Sequence, residues 1–155
     1  MKKRFVIRPV RQRDLDRIEE IEAASFGADA YDRKLFAEYT RICGGLFLVA
    51  ERGRRVVGYS ITALRQAKAP LRAELVSVAV DPAYLGKGAA AGLMDSTLRR
   101  LRRRSVQRLG LMVKLTNARA LGFYAKYGFR RTRRVPGYYE DGADGLLLVK
   151  TLSED

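Results

Sequence analysis

The chain has no histidine and no tryptophan, one cysteine and four prolines in 155 residues. Without histidine, and with a lone Cys43, no zinc-type ligand cluster is available and no internal disulfide can form. Imidazole is excluded as a general base, so a proton taken from a substrate must pass to another side chain or to water. No apolar run approaches the roughly 18 residues that mark a membrane span. The basic start Met1-Lys2-Lys3-Arg4 leads into alternating charges and a proline, which is not the pattern of a signal peptide. Acidic residues are scarce too: 17 Asp and Glu against 31 Lys and Arg give a net charge of +14. Such a field attracts polyanions, whether nucleic acid, an anionic membrane or a phosphorylated cofactor. An arginine-rich proteome gives the same surplus, since 23 of the 31 basic residues are arginine. The composition suits a soluble cytoplasmic protein without metal or membrane, organised as a single domain over residues 1–155 and long enough to bury a core.

What is present is a regular alternation of strand and helix signals. Residues 5–8 alternate as a strand that Pro9 limits. Leu15, Ile18, Ile21 and Ala24 recur at helical spacing, with acidic residues in the first turn. A second helix over about 31–42 carries Leu35, Phe36 and Tyr39, and Gly44-Gly45 ends it. Residues 46–51 and 56–64 read as a hairpin around Gly53. The β-branched strand 73–80 stops at Asp81-Pro82. A glycine-bearing loop, 84–88, then enters a helix whose apolar face holds Ala90, Leu93, Met94, Thr97, Leu98 and Leu101. A strand over 108–113, a helix opened by Asn117 and closed by Gly128, and strands over 130–135 and 146–152 complete the chain. The order β-α-α-β-β-β-α-β-α-β-β predicts an α/β fold, a mixed central sheet with helices on both faces.

A strand that runs through glycines into a helix N-terminus is suited to phosphate. Unpaired N–H donors and the positive end of the dipole face the anion, and small residues let the backbone approach. Gly86, Lys87, Gly88, Ala89, Ala90 and Ala91 meet these demands, although a tight turn alone also explains a short Gly-Lys-Gly. The segment 77–90, Ser-Val-Ala-Val-Asp-Pro-Ala-Tyr-Leu-Gly-Lys-Gly-Ala-Ala, resembles the coenzyme A-binding motif of the GNAT acetyltransferases. Gly88 and Ala90 match its last two fixed positions; Leu85 departs from the usual Arg or Gln. Downstream, Asn117, Ala120, Tyr124, Gly128 and Phe129 match the family's Asn-x-x-Ala-x-x-x-Tyr-x-x-x-Gly-Phe signature. The resemblance covers nearly the whole chain and implies a GNAT fold with acetyl-coenzyme A as co-substrate.

The resemblance implies roles for further residues. Backbone N–H groups of Val78, Ala79 and Val80 would hold the thioester carbonyl where two strands part. Tyr124 would protonate the departing thiolate; as a residue on an apolar helix face it also serves packing. Asn117 would touch the pantetheine arm in addition to capping its helix. Where bacterial ribosomal-protein-alanine acetyltransferases place a basic glutamate, this chain has Met112, which accepts no proton. Glu74 stands where histone-type relatives place theirs; a solvated or ion-paired carboxylate is the alternative. A weak base suits α-amines of pKa about 7.7–8.0 better than lysine amines near 10.4.

The segment 138–150, Tyr-Tyr-Glu-Asp-Gly-Ala-Asp-Gly and the strand after it, resembles a Tyr-Tyr-x-Asp-Gly-x-Asp-Ala stretch of protein N-terminal acetyltransferases. Ala143 and Gly145 depart from the usual glutamate and alanine. By that resemblance Tyr138 and Tyr139 border the peptide entrance, with Phe26 and Tyr31 on the opposite wall. The expected activity is acetyl transfer to an amine, foremost a protein N-terminus. A lysine side chain or small-molecule amine on the same fold is the enzymatic alternative, and a non-catalytic coenzyme A- or RNA-binding domain the alternative of another class. The arginine run 99–104 reads as a solvated helix end or as a contact with ribosomal RNA.

Overall fold

In the computed structural model the described residues are 5–27, 30–66, 68 and 70–152. Seven strands and four helices follow the expected order: β1 (Val6–Pro9), α1 (Leu15–Phe26), α2 (Arg33–Cys43), β2 (Phe47–Arg52), β3 (Arg55–Gln66), β4 (Arg72–Val80), α3 (Ala89–Arg103), β5 (Arg108–Lys114), α4 (Ala118–Lys126), β6 (Arg130–Val135) and β7 (Gly145–Thr151). The sheet order is β1-β2-β3-β4-β5-β7-β6. It is a mixed sheet, because β4 and β5 pair parallel while β1–β2, β2–β3, β5–β7 and β6–β7 pair antiparallel. The last strand therefore inserts between β5 and β6 instead of extending the edge. Contacts divide the chain into two compact units, residues 1–63 with 76–101, and residues 64–75 with 102–155.

The first unit is organised by β2. Phe47, Leu48, Val49 and Ala50 are all fully buried, so this strand is covered on both faces, and alternation sends successive side chains to opposite sides. Leu48 and Ala50 pack with Val57, Val80, Ala89 and Leu93, which places α3 on that face. Phe47 packs with Tyr59 and Phe36 at ring-centroid distances of 6.3 and 6.5 Å, which places α2 on the other. A register shift between Ala50 and Glu51 lets Val57 and Tyr59, two residues apart on β3, serve opposite sides. Between them, a Cβ on Gly58 would lie 3.1 Å from the Ala79 carbonyl oxygen and 3.3 Å from Val80 Cγ2, a tight fit that β4 would have to relieve by a few tenths of an ångström. On α1, Leu15, Ile18 and Ile21 are buried as expected. Ala24 is exposed, and Glu22 takes the inward place.

In the second unit β5 pairs with β7 along its length and β7 with β6. Leu109, Leu111, Val113, Leu146 and Leu148 are buried, while β6 is exposed from Arg130 through Arg134. At the end of α4 the Lys150 ammonium donates to the Tyr127 carbonyl at 2.6 Å, a cation placed where the helix dipole is negative. Gly128 follows at φ +83.

Arg8 joins the first unit's elements electrostatically. Its guanidinium donates to both oxygens of Asp14 at 2.8 and 2.9 Å and to Glu51 at 2.7 Å. Burial alone would push the Asp14 carboxyl up, but Arg8 and the Arg11 N–H outweigh it and hold it below the usual carboxylate range. A depressed native pKa adds stability above the unfolded value of about 3.9 and loses it as pH falls through the native value. Asp14→Asn should cost on the order of 1.5–3 kcal/mol at pH 7. It should also flatten the loss of stability on acidification below about pH 4, as measured by urea unfolding at a series of pH values.

Candidate active site

In the first unit, β4 ends at Val80, and the Asp81 side chain accepts from Ala83 N–H at 3.0 Å, turning the chain into a single 3-10 turn, Pro82–Tyr84. Arg17 on α1 fixes that corner by donating to Asp81 and, at 2.8 Å, to the Val56 carbonyl. The stretch 85–88 is exposed. Gly86 and Gly88 have φ of +75 and +98, and an added Cβ at either would meet nothing within 4 Å. α3 then begins at Ala89 with no acidic side chain in its first turn. The predicted Gly86, Lys87, Gly88, Ala89, Ala90 and Ala91 thus form one turn-and-helix-start, exposed over 86–88 and buried at Ala89. A diphosphate fits this donor set on both charge and access.

Val78, Ala79 and Val80 close β4, with Ala79 and Val80 buried and Val78 half-buried. Among the described residues, β4 pairs with β5 over three positions only, Arg72–Glu74 against Arg108–Gly110. Phe26 and Tyr31 are exposed, and the Tyr31 ring meets Phe36 edge-on at 6.1 Å.

The second unit holds the remaining candidates. Asn117 caps α4, its Oδ1 accepting from Ala120 N–H at 3.1 Å. One face of α4 buries Tyr124 against Phe129 and Phe123, at centroid distances of 5.5 and 5.4 Å. Burial pushes the Tyr124 phenol well up, and the neighbouring Tyr139 adds to the shift. Tyr124 is therefore protonated throughout the neutral range. Glu74 is not an isolated carboxylate: Arg65 Nε donates to its Oε1 at 2.9 Å, and both side chains are partly exposed.

The connection from β6 to β7 is pinned by two carboxylates. Asp141 accepts from Lys114 at 2.8 Å and from Ala143 N–H at 2.9 Å; Asp144 accepts from Gly137 N–H at 2.9 Å and from Arg134 Nε at 2.7 Å. Lys114 holds the Asp141 carboxyl below its usual range, and the Gly137 N–H does so for Asp144. Tyr138 is exposed and stands edge-on to Tyr139 at 5.0 Å, while the Lys114 ammonium lies 5.2 Å from the Tyr139 ring centroid.

Sequence reasoning missed the Arg65 partner of Glu74, which pattern does not encode. It also missed a buried chain of polar groups in the first unit, Glu22, Tyr59 and Ser77. A signal for the latter existed: Glu22 follows Leu15 and Ile18 at seven and four residues, on the apolar stripe of α1.

A mixed sheet with an unshielded glycine turn opening a helix suits an enzyme that uses a phosphorylated co-substrate. Residues 15–129 match the model of the acetyltransferase (GNAT) family. An N-alpha-acetyltransferase of Saccharolobus solfataricus is 28% identical over 96% of this chain and 93% of its own. The crystal structure of Ard1 from Thermoplasma volcanium superposes with a TM-score of 0.91 at 26% identity, covering 97% of this chain and 99% of that one. The ribosomal-protein-S18-alanine N-acetyltransferase of Escherichia coli does so with a TM-score of 0.82 at 26% identity, covering 97% and 96%. The chain belongs to the GNAT family and is an acetyl-coenzyme A-dependent acetyltransferase. Among the described residues no group of side chains could hold a metal, and no helix is long and apolar enough to cross a membrane.

Two departures from the family pattern meet in the structure. A Cβ on Gly145 would lie 2.7 Å from Met112 Cε and 3.0 Å from Tyr138 Cβ. The end of Met112 thus occupies the space that a side chain at Gly145 would take. Met112 can swing its end away, but Tyr138 Cβ is fixed to its backbone. Gly145→Ala should therefore cost about 1–3 kcal/mol by overpacking, measured by urea unfolding, and shift the Tyr138 resonances.

Proposed function

We propose that the chain transfers the acetyl group of acetyl-coenzyme A to the α-amino group of a protein N-terminus, acting in the cytoplasm as one domain over residues 1–155. The observation that carries the acceptor is the β6–β7 connection. Asp141 and Asp144 pin this connection, with Tyr138 exposed on it and Tyr139 close enough to act electrostatically on the buried Tyr124, so phenols that can hydrogen-bond a peptide lie in the same unit as the proton donor. The names of the relatives, an N-alpha-acetyltransferase and a ribosomal-protein-alanine N-acetyltransferase, support the same acceptor.

In this reading Gly86, Lys87, Gly88, Ala89, Ala90 and Ala91 bind the diphosphate, and Asn117 contacts the pantetheine arm while its Oδ1 caps α4. Acetyl-coenzyme A supplies a thioester, whose carbonyl the amine attacks and whose thiolate departs. Backbone N–H groups of Val78, Ala79 and Val80 orient and polarise the carbonyl. Tyr124 gives its proton to the departing sulfur; burial raises the phenol's pKa and raises that of a buried thiolate's acid as well, so the transfer is not disfavoured by burial as such. Glu74 takes the amine proton directly or through water. Arg65 Nε donates to this carboxylate and holds it in place. Phe26, Tyr31, Tyr138 and Tyr139 bound the peptide.

The test is thiol release from acetyl-coenzyme A against a panel of N-terminal peptides, with free lysine and polyamines as controls. Tyr124→Phe keeps the ring and removes the proton, so turnover at saturating substrate should fall roughly 10²–10⁴-fold. The rise in melting temperature with coenzyme A should stay as in wild type. Activity on polyamines or lysine alone would overturn the acceptor. A Tyr124→Phe turnover within about threefold of wild type would overturn the acid.

A second reading concerns the partner. In the first unit Arg8, Arg17, Arg33 and Arg41 are tied to acids, as in Arg8–Asp14, Arg17–Asp81, Arg33–Asp16 and Arg41–Glu38. In the second unit Arg102, Arg103, Arg104, Arg108, Arg130, Arg131 and Arg133 have no ion pair among the described residues. β5 and β6 both run antiparallel to β7, so Arg108 and Arg130, their first residues, come to the same end of this sheet. We propose that this face contacts RNA at the ribosome. Replacing Arg130, Arg131 and Arg133 together by Ser should lower the slope of log K against log salt for a ribosomal RNA fragment by roughly 2. An unchanged slope would place the contact elsewhere.

A further inference from the structure

Glu22 sits on α1 at 1% exposure, and among the described residues no basic side chain pairs with it. An ionised carboxylate is costly to bury without compensation. The first unit supplies that compensation through two neutral donors. The Tyr31 N–H reaches Glu22 Oε2 at 2.9 Å, and the Tyr59 hydroxyl donates to Oε1. The same hydroxyl lies 3.1 Å from Ser77 Oγ. Tyr59 is fully buried and its ring stands edge-on to Phe36 at 5.6 Å, while Phe36 also receives the Tyr31 ring. One carboxylate therefore links α1, the α1–α2 connection at Tyr31, β3 at Tyr59 and, through that phenol, β4 at Ser77. Ser77 immediately precedes Val78, the first of the backbone donors assigned to the thioester carbonyl.

We propose that Glu22 is a positioning residue for the acceptor amine, setting the Tyr31 wall in register with β4. This rests on the proposed assignment of Tyr31 to the acceptor site. An aliphatic side chain would satisfy the apolar stripe of α1 equally well, but it would leave the Tyr31 N–H and the Tyr59 hydroxyl without this acceptor. The carboxylate contributes geometry, not proton transfer. An amide of the same shape can replace it: the glutamine oxygen accepts from Tyr31 N–H, its NH₂ donates to the Tyr59 oxygen, and Tyr59 donates to Ser77.

Full-length wild type, Glu22→Gln, Glu22→Ala and Tyr59→Phe are compared by amide hydrogen exchange at Tyr31, by KM and kcat for one acceptor peptide, and by the melting shift with coenzyme A. Glu22→Gln should keep Tyr31 protected and KM within about threefold of wild type. Glu22→Ala should speed Tyr31 exchange and raise peptide KM, each by about tenfold or more, with kcat within about threefold and the coenzyme A shift intact. Should Glu22→Ala not fold, Tyr59→Phe decides. It keeps the ring packing and the Tyr31 bond but cuts the link to Ser77, so KM should rise with Tyr31 still protected. Overturning results are a kcat loss at unchanged KM, a Gln variant as impaired as Ala, or, with Tyr59→Phe, an unchanged KM. If wild type acetylates no peptide, the acceptor reading falls instead, and Tyr31 exchange in the Ala or Gln variant alone then decides whether Glu22 holds that backbone.

Discussion

The first unit depends on a close approach of β3 to β4 in which even a methyl group would be tight. At Gly58 the chain of β3 passes the Ala79 carbonyl of β4, where an added methyl would sit 3.1 Å from the oxygen and push it away by a few tenths of an ångström. Ala89 and Leu93 pack α3 against Leu48, Ala50, Val57 and Val80 on this face, and with that the first turn of α3 is placed beyond the end of β4. Arg17 and Asp81 then fix the corner through which the chain leaves β4. The open glycine turn can remain unshielded because its position is dictated from both flanks. Ala89 marks the change, with the packed helix behind it and the exposed turn before it.

Most elements were legible in the sequence because each is short, amphipathic and punctuated. Asp81-Pro82, the glycines at 86 and 88, Asn117 and Gly128 mark ends whose chemistry is local, and the structure places turns and caps at all of them. The candidate site was legible where its parts are backbone features of single segments. What escaped depends on partners distant in sequence. Glu22 looks like one more acidic residue on a polar helix until Tyr31 and Tyr59 are seen to enclose it. Glu74 looks like a free base until Arg65 is placed beside it. The insertion of β7 between β5 and β6 could not be read either, since both neighbours carry equally plausible strand patterns and pairing is decided by the register of Leu146 and Leu148. Ala24 went wrong for a related reason: a small apolar residue near a helix end fits either environment.

The arginines illustrate how one composition serves different purposes. In the first unit they join elements, with Arg8 bridging a loop carboxylate and β2 and Arg17 bridging α1, β3 and the β4 corner. Lysine could match neither arrangement, because each uses the planar fork to reach separate acceptors at once. In the second unit most arginines face solvent. A few arginines therefore serve as internal ties, while the exposed ones form an external field.

That field bears on the protein's behaviour in concentrated solution. β6 is the last strand of the sheet, and its outer edge presents backbone donors and acceptors that a second copy could adopt as a template. Arg130, Arg131, Arg133 and Arg134 occupy four of its six positions, and a register shift between Arg131 and Arg133 breaks the regular spacing of its ladder. Two such edges brought together would set like charges against each other on a mismatched ladder. The strand is thus kept from propagating a sheet between molecules, and a basic edge that costs little to the fold acts as a safeguard against fibrous self-association.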